Sequence, residues 1–118
     1  MKILKILLLS LVVFGMVVTG AFAAGDAAKG KSQFNDKTFA GGSKACNECH
    51  ANGKGLEKAG EKKEFHIMGK MQKSLEEAVN TCIVGANKGK AIDVKSAQMQ
   101  DMVAYIKSLK AKKDSSAY

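Results

Sequence analysis

Cys46-Asn47-Glu48-Cys49-His50 is the stretch that most limits what this chain can become. Two thiols three positions apart, with an imidazole directly after the second, make the C-x-x-C-H spacing that attaches c-type haem. The spacing has a chemical reason. Both thiols must add across the vinyl groups of one porphyrin, and the two intervening residues let both sulfurs reach the same edge of the ring. His50 then offers its imidazole as the proximal ligand to the iron. A zinc site would need a second Cys pair or a His-x-x-x-His partner to complete four ligands, and the sequence has neither. A dithiol redox motif expects a βαβ setting, and little of the chain reads as strand. The expectation is one covalent haem c, with thioethers at Cys46 and Cys49 and iron held by His50.

The amino terminus agrees with that chemistry. Lys2 and Lys5 precede an apolar run from Ile6 to Val18, broken only by Ser10 and Gly15, and Ala21-Phe22-Ala23 reads as a cleavage site. Residues 1–23 are expected to be a cleaved secretory signal peptide, the run being short for a membrane span of roughly 20 residues. Residues 24–118 are expected to form one domain with no permanent membrane anchor. Haem attachment belongs outside the cytoplasm, so a periplasmic setting is expected. A chain of this size has a modest core of its own, and a bound haem would supply a large apolar plate for it.

Charge narrows the partners. The chain carries 19 basic residues, every one a lysine, against 11 acidic ones, for a formal net charge of +8. Aromatics are few and not interleaved with the lysines, so nucleic-acid binding is a poor reading. Without arginine there is no bidentate clamp for phosphate or carboxylate. Scattered lysines around a haem edge would instead steer redox partner proteins with acidic docking surfaces, mainly by raising the association rate.

Along the chain, Asp26 is a good N-cap for a short helix carrying Gly30 and Phe34 on one face. Gly41-Gly42-Ser43 marks a loop before the haem segment, and Asn52-Gly53-Lys54-Gly55 turns the chain away after it. Leu56 to Met71 reads as loop with a helical turn at most. Ser74-Leu75-Glu76-Glu77 is a capping box, opening a helix to about Val84 whose apolar face is Leu75, Ala78, Val79, Cys82 and Ile83. Ser96 caps a final helix to about Leu109, with Met99, Met102, Val103, Ile106 and Leu109 as its stripe and Tyr105 beside it. The tail from Lys112 to Tyr118 is polar and expected to fray. The fold class is all-α, about three to four helices around one haem.

The order of helix, C-x-x-C-H, middle helix and final helix resembles class I cytochrome c. In that family the first helix crosses the last at a small residue and an aromatic, positions matched by Gly30, Phe34 and Tyr105, and Met102-Val103-Ala104-Tyr105-Ile106-Lys107 resembles the last helix. The family's usual distal ligand is a Met in the loop ahead of that helix. Here the loop, Gly85 to Lys95, contains no Met, and the chain has no proline.

Cys82 is left over once Cys46 and Cys49 are taken by haem, and an unpaired Cys in an exported chain calls for a role. The run Ser74 to Ile83, with Gly89-Lys90-Ala91, Ser96, Met99 and Ala104-Tyr105-Ile106, is similar to the ligand-bearing part of thiosulfate dehydrogenases. It is also similar to the Cys-ligated subunit of Sox-type sulfur-oxidation cytochromes. The resemblance implies Cys82 as distal ligand; Met68, Met71 and His66 stand as the alternatives, while Met99 and Met102 belong to the core. No acid–base pair or catalytic triad is visible. The expected function is a carrier of single electrons. A haem subunit or relative of a thiosulfate-oxidising enzyme is one alternative, and a haem-based redox or gas sensor is the other.

Overall fold

The computed structural model describes residues 25–115, with side chains as far as Lys110. The expected leader and its cleavage site lie outside the described residues, as does the end of the tail. Four helices carry the chain: α1 (Ala27–Asn35), α2 (Cys46–Cys49), α3 (Leu75–Gly85) and α4 (Ala97–Ser115). Single 3-10 turns sit at Phe39–Gly41, Ala51–Gly53 and Ala59–Glu61. No helix among the described residues is long and apolar enough to cross a membrane.

Local chemistry starts each long helix. The Asp26 carboxylate accepts from the backbone N–H of Ala28 (2.9 Å) and Lys29 (3.1 Å), satisfying two donors that α1 leaves open. Ser74 Oγ accepts from Glu77 N at 3.1 Å to open α3. The reciprocal arm of that capping box lands one residue early, with the Glu77 carboxylate accepting from Lys73 N at 2.9 Å. Ser96 Oγ accepts from Met99 N at 3.2 Å and caps α4.

α4 is the axis of the molecule. Met99, Met102, Val103, Tyr105, Ile106 and Leu109 are all buried, more than a single stripe, because different faces of the helix meet different neighbours. One face takes α1. A β-carbon at Gly30 would overlap the Asp101 carbonyl, so only glycine lets the two backbones meet there. Phe34 packs on Tyr105 with ring centroids 5.1 Å apart and planes at 60°, within the range of favourable tilted aromatic pairs. Asp101 Oδ1 also accepts from Asp26 N at 2.7 Å, tying the start of α1 to α4.

Two expectations are corrected. Within Leu56 to Met71, read as loop, the chain forms an antiparallel hairpin that extends one residue beyond it, β1 (Phe65–Ile67) and β2 (Lys70–Gln72), in the register Phe65↔Gln72, His66↔Met71, Ile67↔Lys70. The fold is therefore mostly helical with a two-stranded sheet, not all-α. The hairpin is stabilised by burial, since Phe65 and Gln72 face inward while His66 and Met71 face out. Second, α4 continues past Leu109 to Ser115. Lys110-Ala111-Lys112-Lys113 is a run of good helix formers with no glycine or proline to stop it.

Candidate functional site

α2 is one turn long and presents the C-x-x-C pair at i and i+3. Its start is held by the Glu48 carboxylate, which accepts from Ala45 N at 2.6 Å, and its end by His50 N donating to the Cys46 carbonyl at 2.9 Å. The following loop is folded around the His50 ring. Asn52, at φ 54°, donates its N–H to Asn47 Oδ1 at 2.8 Å. Gly53 to Leu56 then make a turn closed by Leu56 N to Gly53 O at 3.0 Å, with Gly55 at φ 87° in its third position. That is type II geometry, in which the central peptide is flipped and glycine is required. The flip aims the Lys54 carbonyl at His50 Nδ1, 3.1 Å away. A carbonyl only accepts, so Nδ1 carries a proton, and in the neutral imidazole Nε2 is then the nitrogen with the free lone pair.

His50 lines a small apolar cavity of about 80 Å³, open at one side. Around it stand Cys46 from α2, Phe65 and Ile67 from β1, Ala78, Val79 and Cys82 from α3, and Met102 from α4. The cavity continues into a wider crevice, also bordered by His50 and Cys82, whose outer wall is Lys58, Lys62, Lys63, Glu64, His66 and Met68. Thus α3 turns Cys82, with Ala78 and Val79, toward the same space as His50, while Ile83 packs into the core.

The other sequence candidates separate. Met68 reaches the crevice from the hairpin turn, and His66 lies at its rim. Met71 is 54% exposed on the outer face of β2 and borders neither space. Cys49 is exposed and does not line the cavity, whereas Cys46 does. Met99 and Met102 are core residues, and Met102 also forms part of the cavity wall.

No residue of the loop from Ala86 to Lys95 lines either space. The loop is held away from them. Asn80 clamps Ile92 with two bonds, Nδ2 to Ile92 O at 2.8 Å and Ile92 N to Oδ1 at 2.9 Å, and Lys90 N donates to Ala40 O at 2.8 Å.

The thiols differ in their surroundings. Burial pushes the Cys82 thiol above its ordinary pKa, and the nearby Cys46 and Cys49 sulfurs add to the rise. No hydrogen bond reaches the Cys82 sulfur among the described residues. Burial also raises the Cys46 thiol, but there Asn87 opposes it, donating Nδ2–H to Cys46 Sγ at 3.4 Å. Asn87 is itself buried, its N–H donating to the Cys82 carbonyl (3.0 Å) and its carbonyl accepting from Ser43 N (2.8 Å). It knits α2, the end of α3 and the loop before α2. The sequence reading missed it, as it did the Lys54 carbonyl; Lys-Gly five residues after the second Cys was the available signal for the latter.

Among the described residues no three His, Cys, Asp or Glu side chains gather as a metal-ion site made of protein ligands alone. The donors that face the cavity are one imidazole, two thiols and the Met102 thioether, over an apolar lining. That set fits a group which brings its own equatorial ligands and needs the protein only for axial and covalent ones. Compared with protein-family models, curated proteins and solved structures, the chain has no match.

Proposed function

We propose that the protein is a periplasmic monohaem cytochrome c that carries single electrons. The observation that carries the reading is the His50 imidazole, fixed as the Nδ1–H tautomer by the Lys54 carbonyl and turned into an apolar cavity beside Cys46. A metal-bound histidine needs this kind of outer partner to fix its ring and free its second nitrogen. His50 would hold the iron, and Cys46 and Cys49 would hold the porphyrin. When bound, the haem supplies a one-electron couple. The chain's own residues give the inner cavity an apolar lining, and lysines border the crevice beside it.

Cys82 is the proposed distal ligand, because it borders the same cavity as His50 and has no hydrogen-bonded partner of its own. Its half-buried thiol favours the neutral form, and ferric iron at Sγ would reverse that preference. An anionic sulfur favours the ferric state, so the potential should lie below that of a His/Met site. Met68 and His66, at the rim, are the competing donors.

Expression with c-type maturation tests the reading: haem should remain attached through denaturation, and be lost in Cys46→Ala/Cys49→Ala. Low-temperature electron paramagnetic resonance of the oxidised protein should give a low-spin thiolate signal that disappears in Cys82→Ala. An unchanged signal there returns Cys82 to the cavity wall.

The position of Cys82 also favours a second reading, a haem subunit or relative of a thiosulfate-oxidising enzyme. Steady-state thiosulfate oxidation with an artificial acceptor separates the two, since a pure carrier shows no turnover. One C-x-x-C-H in the chain favours the carrier.

A further inference from the structure

Gly85 is the last residue of α3, and its backbone lies outside the left-handed region that would call for glycine. Alanine is the better residue for a helical position of this kind, so the glycine has another cause. Apart from its own turn of helix, a β-carbon there would meet Met68 Sδ and Cε and nothing else within 4 Å among the described residues. The missing side chain makes a seat for one thioether.

Met68 reaches that seat from the hairpin turn. It sits there at φ 52° beside Gly69 at φ 74°, and the register of β1 and β2 places its backbone. Its side chain stands between two spaces. One is a groove between the hairpin and α3, lined by Asn80, Thr81, Val84 and Gly85. The other is the crevice bordered by His50 and Cys82. Gly85 lines the groove and not the crevice, so the seat holds the sulfur on the groove side.

We propose that Gly85 is a positioning residue: by seating the Met68 thioether on α3, it keeps a second soft sulfur donor out of the crevice and leaves the distal position to Cys82. The proposal rests on the haem reading above and deepens it, giving the reason why Met68 does not take the place of Cys82. Methionine is unbranched and flexible, so its sulfur settles where a surface receives it. A methyl group at residue 85 fills the seat. The end of α3 is fixed by bonds that do not need glycine, Asn87 N to the Cys82 carbonyl at 3.0 Å and Lys88 Nζ to the Gly85 carbonyl at 2.8 Å. The free end of Met68 therefore yields before the helix does. The displaced thioether has the crevice or water to enter, and an apolar group favours the crevice. There it competes with Cys82, and a neutral thioether raises the potential where a thiolate lowers it.

Wild-type holoprotein, Gly85→Ala and Gly85→Ala/Met68→Leu test this. In Gly85→Ala, electron paramagnetic resonance of the oxidised protein should show a second low-spin species beside the thiolate one, and the midpoint potential should shift upward. Leucine has a similar volume and no sulfur, so the double variant should return both readings to wild type. A second measurement needs no haem. In haem-free protein labelled at the methionine methyls, the Met68 methyl should show a nuclear Overhauser contact to the Gly85 α-protons in wild type. In Gly85→Ala that contact should move to the Cys82 β-protons.

A Gly85→Ala holoprotein with the wild-type spectrum and potential would overturn the proposal. So would a Met68 methyl that leaves residue 85 without gaining Cys82. A change that persists in the double variant would also overturn it, since a shift of α3 and not the Met68 sulfur would then be responsible. Loss of helical circular dichroism in Gly85→Ala would do the same, because the helix and not the side chain would have yielded. Wild-type protein without covalent haem, or without a thiolate signal, would overturn the haem reading or the Cys82 ligation itself, and the methyl contacts in haem-free protein would still decide whether Gly85 seats Met68.

Discussion

The two sides of α4 are built on opposite terms. On the α1 side everything is closed: glycine against backbone, ring against ring, and a carboxylate on the first N–H of the helix start. On the cavity side the chain is held open. A half-buried thiol has no hydrogen bond among the described residues, Met68 sits at φ 52° in a two-residue turn with Gly69 at φ 74°, and two methionines face solvent. Both central residues at positive φ is type I′ geometry, which favours Asn-Gly rather than Met-Gly. The closed side gives rigidity to α4, and α4 then supplies Met102 as a fixed wall for the open side. Stability is concentrated at the crossing and chemistry at the rim.

Four substitutions test this division. Gly30→Val should have the largest effect, because the Asp101 backbone cannot yield to a side chain; a loss on the order of 3 kcal/mol in urea unfolding is expected. A small loss would mean that α1 is not locked to α4. Gly55→Ala should cost about 1–2 kcal/mol, since φ 87° is unfavourable for any residue with a β-carbon. It should also loosen the Lys54 carbonyl, and nitrogen chemical shifts of the His50 ring should lose their Nδ1–H signature.

Asn87→Leu should cost about 1 kcal/mol as the bond to Cys46 is lost. In haem-free protein it should also move alkylation of Cys46 to higher pH, because the hydrogen bond that opposed the burial shift is gone. The sign follows from the raised folded-state pKa. Stability from the half-buried neutral thiol is full below the ordinary thiol value and falls as pH rises through the folded value, so in the variant the fall continues to higher pH and is larger. Met68→Asn should have the smallest effect, a gain of less than about 1 kcal/mol from a residue suited to the turn. A loss there would show that the Met68 contact with Gly85 outweighs the backbone preference.

Much of the helical part was legible because its signals are local. Asp26, Ser74 and Ser96 act on N–H groups two or three residues away, and the apolar spacing of α3 and α4 marks the faces that pack. The hairpin was not legible for a physical reason. Its strands are three residues each, Lys70 and Met71 are weak strand formers, and its turn places a methionine where glycine or asparagine is usual. Burial of Phe65 and Gln72 overrides those preferences, and burial depends on α3 being in place.

The sequence alone determined the helix starts, the inward face of α3 that includes Cys82, and the C-x-x-C-H turn, since each rests on bonds or periodicity within a few residues. Tertiary structure alone decided that Cys82 and His50 share one cavity, that Asn87 reaches Cys46 across 41 residues, and that the loop from Ala86 to Lys95 stays out of that cavity. Those outcomes depend on how α3 packs beside α4 and on where Asn80 and Ala40 pin the loop, contacts between segments that no local pattern encodes.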